Sequence, residues 1–312
     1  MFVPFISEPS PKRSSLFRRK GGGGGGKGGG SSGGAKGGSG KGSSSSGSSS
    51  SSKGTGKSSS ISSGGSSKSA TSYGSGGGKV ATIPAGQPFA GRVSGGGTRN
   101  QVYGSSIYGS GYPGIAGRGV AGRGFPFLFW PLAWGGIAGA GAGSYLHTSE
   151  YGSPSNTSRP GGVMMTAAFQ SKSQNTTFRV VADNTTVVSL ISSIAANCSS
   201  NLGNTTAITP TTYNDSSTGP PQPEQAIQYY RASSVALTLD DYNNTGALGP
   251  DGTPNTPLPS NIDTNFLNCL NDTIGAAVPL VDGAMGLVAD APSNVGIVAL
   301  VWIVWFATGF FY

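Results

Sequence analysis

The sequence predicts a mostly disordered N-terminal half followed by a small α+β domain of order β-β-α-β-α, flanked by two apolar membrane-type segments. Three observations carry that expectation. Charge is partitioned: 16 Lys or Arg stand against one acid through Arg123, but 4 stand against 11 from Gly124 onward. The formal +8 of this 312-residue chain therefore hides two oppositely charged halves. Two long runs, 124–146 and 295–312, contain no charge at all. Periodic placement of apolar residues becomes legible only between them, over 162–280.

Residues 1–123 form the predicted basic, disordered region. The first 20 residues lack the form of a cleavable signal peptide, because the basic residues follow the short apolar start and Pro4 and Glu8 interrupt it. Gly and Ser dominate 21–78, the composition of a flexible linker that buries too little apolar surface to offset its ordering entropy. Gly56-Lys57-Ser58 resembles the end of a phosphate loop, but Ser51 stands where the leading glycine belongs. Tyrosine and arginine enter over 79–123, with Gly-Arg-Gly at Arg118 and at Arg123. That mixture suits base stacking and phosphate contact. The competing reading is a basic linker beside a membrane, since an apolar run follows directly.

As a helix, 124–146 would be long enough to cross a hydrocarbon core of ~30 Å. It is predicted as a signal anchor, with Arg118 and Arg123 holding the basic region on the cytoplasmic side. Pro126 and Pro131 weaken it as a helix, and packing on the downstream domain is the other reading. A linker, 147–161, leads into the domain.

Within 162–280, residues 163–169 and 177–182 read as two strands joined by a polar turn. Asn184 can cap a helix whose Val187, Leu190, Ile191, Ile194 and Cys198 recur at helical spacing. Ile227, Tyr229, Val235, Leu237 and Leu239 share one parity and predict a long strand. Arg231 and Ser233 interrupt that face, which allows a bulge or two strands. Asp263 caps a second helix with an apolar stripe of Phe266, Cys269, Leu270, Ile274 and Ala277, and Pro279 stops it.

Asn-X-Ser/Thr triplets start at Asn156, Asn175, Asn184, Asn197, Asn204, Asn214, Asn243 and Asn271, all in the acidic half. With the cysteine pair Cys198 and Cys269 they point to the secretory pathway or cell surface, with 147–294 lumenal or extracellular. The two cysteines would staple helix to helix if bonded; two separate core thiols are the alternative. Beyond a spacer, 281–294, the tail 295–312 matches either the removable part of a glycolipid-anchor signal, with Asp282 or Gly283 as the attachment point, or a retained transmembrane helix.

No catalytic set, cofactor motif or metal site can be assembled. His147 is the one histidine, the cysteines lack Cys-X-X-Cys spacing, and Asp240 and Asp241 would point to opposite faces of a strand. The expected function is a non-catalytic, membrane-anchored surface glycoprotein with a structural or recognition role. Its partners would be membrane lipids and cell-wall or surface molecules. The alternative is a tail-anchored intracellular protein whose basic arm binds RNA or anionic membrane.

Overall fold

The computed structural model describes residues 56–63, 66–135, 143–147, 149–203 and 208–282. In chain order the strands are β1 (Ser58–Ser63), β2 (Ser66–Thr71), β3 (Ala81–Thr82), β4 (Val93–Ser94), β5 (Met164–Gln170) and β6 (Thr177–Asp183). Helix α1 (Asn184–Asn197), strands β7 (Thr211–Thr212), β8 (Ala226–Tyr230) and β9 (Val235–Leu239), helix α2 (Thr264–Ala277) and β10 (Leu280–Val281) complete the order.

The central sheet runs β7-β5-β6-β9-β8, antiparallel throughout. Its β5–β6 hairpin lies where alternation and the polar 171–175 turn place it. Asp183 ends β6 and caps α1: its carboxylate accepts from the Thr186 backbone N–H at 3.0 Å and from the Thr186 hydroxyl at 2.7 Å. The predicted cap, Asn184, is instead the first residue inside the helix. Asp263 caps α2 as expected, its Oδ1 accepting from Phe266 N at 2.9 Å.

Both helices lie on one face of this sheet. Phe178 of β6 meets Phe266 of α2 edge to face, centroids 5.6 Å apart, and Tyr230 of β8 donates to Asn271 Oδ1 at 2.7 Å. Neighbouring strand residues face opposite ways, so Tyr229 points to the other side, where Tyr108 and Trp134 pack against it at 5.5 and 6.4 Å.

What covers that second face overturns the prediction of two flanking membrane-type segments. Of the run 124–146, residues 124–135 are extended and turned, not helical, and 144–146 form a single 3-10 turn. Phe125, Phe127, Phe129, Leu132, Ala133 and Trp134 are buried in the core of the domain. The chain is held there by backbone bonds from Gly95 N to Phe125 O, Gly97 N to Pro126 O and Leu132 N to Ser233 O, at 2.7–2.9 Å. Pro126 and Pro131 supply no N–H, and Leu128 sits at φ +71°, all three incompatible with a regular helix. Among the described residues no helix is long and apolar enough to cross a membrane. The tail 295–312 lies outside the described residues.

The disordered half is likewise corrected from residue 56 onward. Strands β1, β2 and β10 form a second sheet, in which β2 pairs with a segment distant in sequence: Leu280 faces Thr71 and Val281 faces Ala70. Only Ile61 and Ala70 on β1 and β2 are buried apolar residues; serine, lysine and threonine fill the other positions and hide the alternation. Strands β3 and β4 form a small separate ribbon. Residues 79–135 thus belong to the same core as 162–281, and the predicted boundary at 162 does not separate two bodies. Residues 1–55 and the spacer after Asp282 lie outside the described residues.

The predicted long strand over 227–239 is two strands, β8 and β9, joined at Arg231–Ser234. Arg231, Ala232 and Ser233 take consecutive left-handed conformations, φ +52°, +50° and +58°. Each costs roughly 1–2 kcal/mol, and the contacts that offset this cost belong to the arginine network described next.

Candidate functional surface and the residues that position it

Arg231 is fully buried. It donates from Nη2 to Asp183 Oδ2 at 2.6 Å, from Nη1 to Thr186 Oγ1 at 3.0 Å and Pro279 O at 2.8 Å, and from Nε to Ser234 Oγ at 2.7 Å. Its guanidinium carbon lies 3.4 Å from the Phe129 ring centroid. One side chain thereby ties the β8–β9 turn to the start of α1, the end of α2 and the aromatic run. Burial pulls its pKa down and the Asp183 carboxylate beside it pulls back up.

Arg118, Arg123, Arg99 and Arg159 work similarly, against backbone carbonyls. Arg118 donates to Gly246 O at 2.8 Å, Thr253 O at 2.9 Å and the Tyr145 hydroxyl at 2.8 Å. Arg123 donates to Gly109 O and to Gly117 O, and lies 5.0 Å from the Tyr112 ring centroid. Arg99 reaches Gly275 O and Val278 O at the end of α2. Arg159 lies beneath Trp130, 5.7 Å from its ring centroid, and bonds the Trp130 and Pro131 carbonyls; burial pushes its pKa down to about 10, so it stays cationic at neutral pH. Glycine-rich loops present many carbonyls, and a planar guanidinium can bridge several at once. Gly109 is required at such a crossing: its φ is +97°, a Cβ there would collide with the Gly119 carbonyl, and its N–H donates to Ser233 Oγ at 2.9 Å. In the two Gly-Arg-Gly units, the guanidiniums that suggested nucleic-acid contact are engaged by backbone carbonyls.

Cys198 and Cys269 form a disulfide, Cα atoms 5.8 Å apart, joining the C-terminal cap of α1 to the second turn of α2. Closing a separation of 71 residues stabilises by about 4 kcal/mol in the chain-entropy model.

Seven of the eight triplet asparagines fall within the described residues. Asn175, Asn184, Asn197, Asn214 and Asn243 are exposed, Asn156 and Asn271 half-buried. In two of them the side-chain oxygen accepts the N–H two residues on, Ser158 N to Asn156 at 2.9 Å and Ser216 N to Asn214 at 3.0 Å. Asn197 Nδ2 instead donates to the Tyr73 hydroxyl at 3.3 Å. Asn204 lies outside the described residues. Asp282 accepts from the Thr71 hydroxyl and from Gly76 N, both at 2.5 Å, and Gly283 lies outside the described residues.

Among the described residues no three His, Cys, Asp or Glu side chains converge to hold a metal. His147 Nδ1 is bonded to the Gly135 carbonyl. Asp240 forms a two-pronged ion pair with Arg179 at 2.9–3.1 Å, while Asp241, at φ +64°, is exposed. The phenols of Tyr108, Tyr229 and Tyr230 have pKa values raised well above the ordinary value by burial, so they remain neutral; Tyr108 donates to Leu132 O.

Comparison with protein-family models, curated proteins and solved structures finds no match. Sequence reasoning missed the Arg231–Asp183 pair. Its one signal was an arginine interrupting an apolar strand pattern, a place where a cation must find a buried partner or break the strand.

Proposed function

We propose that this chain is a non-catalytic surface glycoprotein, a disulfide-stapled domain with a structural or recognition role at the outer side of a membrane. The observation that carries this reading is that five of the seven described triplet asparagines are exposed and none is buried, on a domain whose two cysteines are bonded. Glycosylation acts on exposed loops and turns, and disulfides persist in oxidising compartments. A buried triplet asparagine would have weighed against it.

The alternative of nucleic-acid binding loses the two Gly-Arg-Gly units on which it partly rested, because Arg118 and Arg123 are engaged by carbonyls. The deciding experiment is a gel shift of the full-length protein from its native host, with and without enzymatic removal of N-linked glycans. A loss of several kilodaltons is expected. An unchanged band would sink the lumenal or extracellular reading.

A further inference from the structure

A cleft of about 430 Å³ opens between the β1–β2 hairpin, the β3 strand with the turn after it, and the aromatic run. That volume lies within the range of small-molecule sites, ~300–1,000 Å³. Its apolar surface comes from Phe125, Leu128 and the half-buried indole of Trp130, with Pro84, Pro88 and Pro160 beside them. Phe89 meets Trp130 edge-on at 4.8 Å and Arg159 lies 5.7 Å from its ring centroid, so the indole is fixed before any ligand arrives.

The polar lining is one-sided. Lys68 and Lys79 both reach the cleft, and no carboxylate lines it. Every described arginine is engaged, by a carboxylate or by backbone carbonyls. Lys68 and Lys79, by contrast, make no ion pair and no side-chain hydrogen bond among the described residues. The Gln87 carboxamide and the Trp130 indole N–H also have no hydrogen-bond partner among the described residues. Around them stand hydroxyls, among them Ser66, Thr82, Ser94 and Ser158.

From this arrangement we infer that the cleft is a binding site for an anionic glycan, one whose rings carry carboxylate groups. Two point-charge ammoniums match carboxylates spaced along a chain. Hydroxyl and amide groups match sugar hydroxyls, which both donate and accept. The indole and proline faces supply the flat apolar surface against which the C–H face of a pyranose rests. A simple inorganic anion would leave that surface uncovered. The inference deepens the recognition role proposed above by naming its ligand, and it does not depend on whether the asparagines carry glycans.

The test is calorimetric titration of the full-length protein with tetragalacturonate, its methyl ester and a tetraglutamate peptide. Enzymatically deglycosylated protein serves throughout, so that a failure here is separate from a failure of the gel shift. Tetragalacturonate is expected to bind, and the neutral ester about tenfold more weakly, with the difference shrinking as salt is added. The double variant Lys68→Gln/Lys79→Gln, both exposed positions, is expected to keep the wild-type melting temperature and to lose the preference for the acid. Trp130→Phe, which retains an aromatic ring, is expected to weaken both sugars together. No binding of tetragalacturonate at millimolar concentration overturns the proposal, as does binding that the lysine variant leaves unchanged. Binding of tetraglutamate as tight as that of the sugar would make the cleft an acidic-peptide site and overturn it equally.

Discussion

A guanidinium with no solvent contact persists only where its charge and its donors are both met, and Arg231 has Asp183 for the first and Thr186, Ser234 and Pro279 for the second. The same contacts hold three consecutive left-handed residues in place, which serine, alanine and arginine adopt only under constraint. Removing one partner of a buried pair strands the other. Arg231→Met is therefore expected to lower the unfolding free energy by about 3–5 kcal/mol, read from urea unfolding curves. Pairing it with Asp183→Asn should cost less than the two single changes summed, because the two side chains share one interaction. A single-variant loss below about 1 kcal/mol would mean that the pair contributes no more than an exposed salt bridge. The sequence disclosed that Arg231 was out of place in a strand; it could not disclose the partner, which lies 48 residues upstream.

At the level of elements, legibility followed locality. Helix α2 was readable because its cap, its apolar stripe and its stop at Pro279 all fall within one short stretch. Burial alone would raise the pKa of the Asp263 carboxyl, but hydrogen bonds from Ser171, Ser173 and the N–H groups of Phe266 and Asn265 outweigh it and hold it below the usual carboxylate range. A folded pKa below the unfolded value of about 3.9 gives stability that is complete above that value and disappears as pH falls through the folded one. Asp263→Ala should thus destabilise the protein by about 1 kcal/mol at neutral pH. The gap between variant and parent should narrow in acid, below about pH 4, and thermal melts across that range would expose a pH-independent gap, which would sink the argument. Strands β1 and β2 sit at the opposite extreme. Their pairing is held by backbone bonds and only two buried apolar side chains, Ile61 and Ala70, so composition gave no sign of them, and β10, the other partner of β2, is over 200 residues away in sequence.

For the whole molecule, the instructive error concerns 124–135. Hydropathy reports that a segment avoids water, and a protein core satisfies that demand as well as a bilayer does. What distinguishes the two is backbone geometry: a single spanning helix must satisfy its own backbone hydrogen bonds, whereas Pro126, Pro131 and the positive φ of Leu128 forbid a regular helix here. The aromatic run is instead the second layer over the central sheet, opposite α1 and α2, so the β-β-α-β-α unit covers only one of its own faces. Residues 162–280 expressed alone would expose Tyr229 together with the surface that Trp134 and Phe129 cover. Each such large aromatic contributes about 3–5 kcal/mol when removed from a core, against a total stability of about 5–15 kcal/mol for a domain. The isolated 162–280 segment is therefore expected to show no cooperative thermal transition by near-ultraviolet circular dichroism, while residues 56–282 regain one. A sharp transition in the shorter chain would show that the aromatic run is an ornament on a self-sufficient domain, and that the sheet's second face tolerates water.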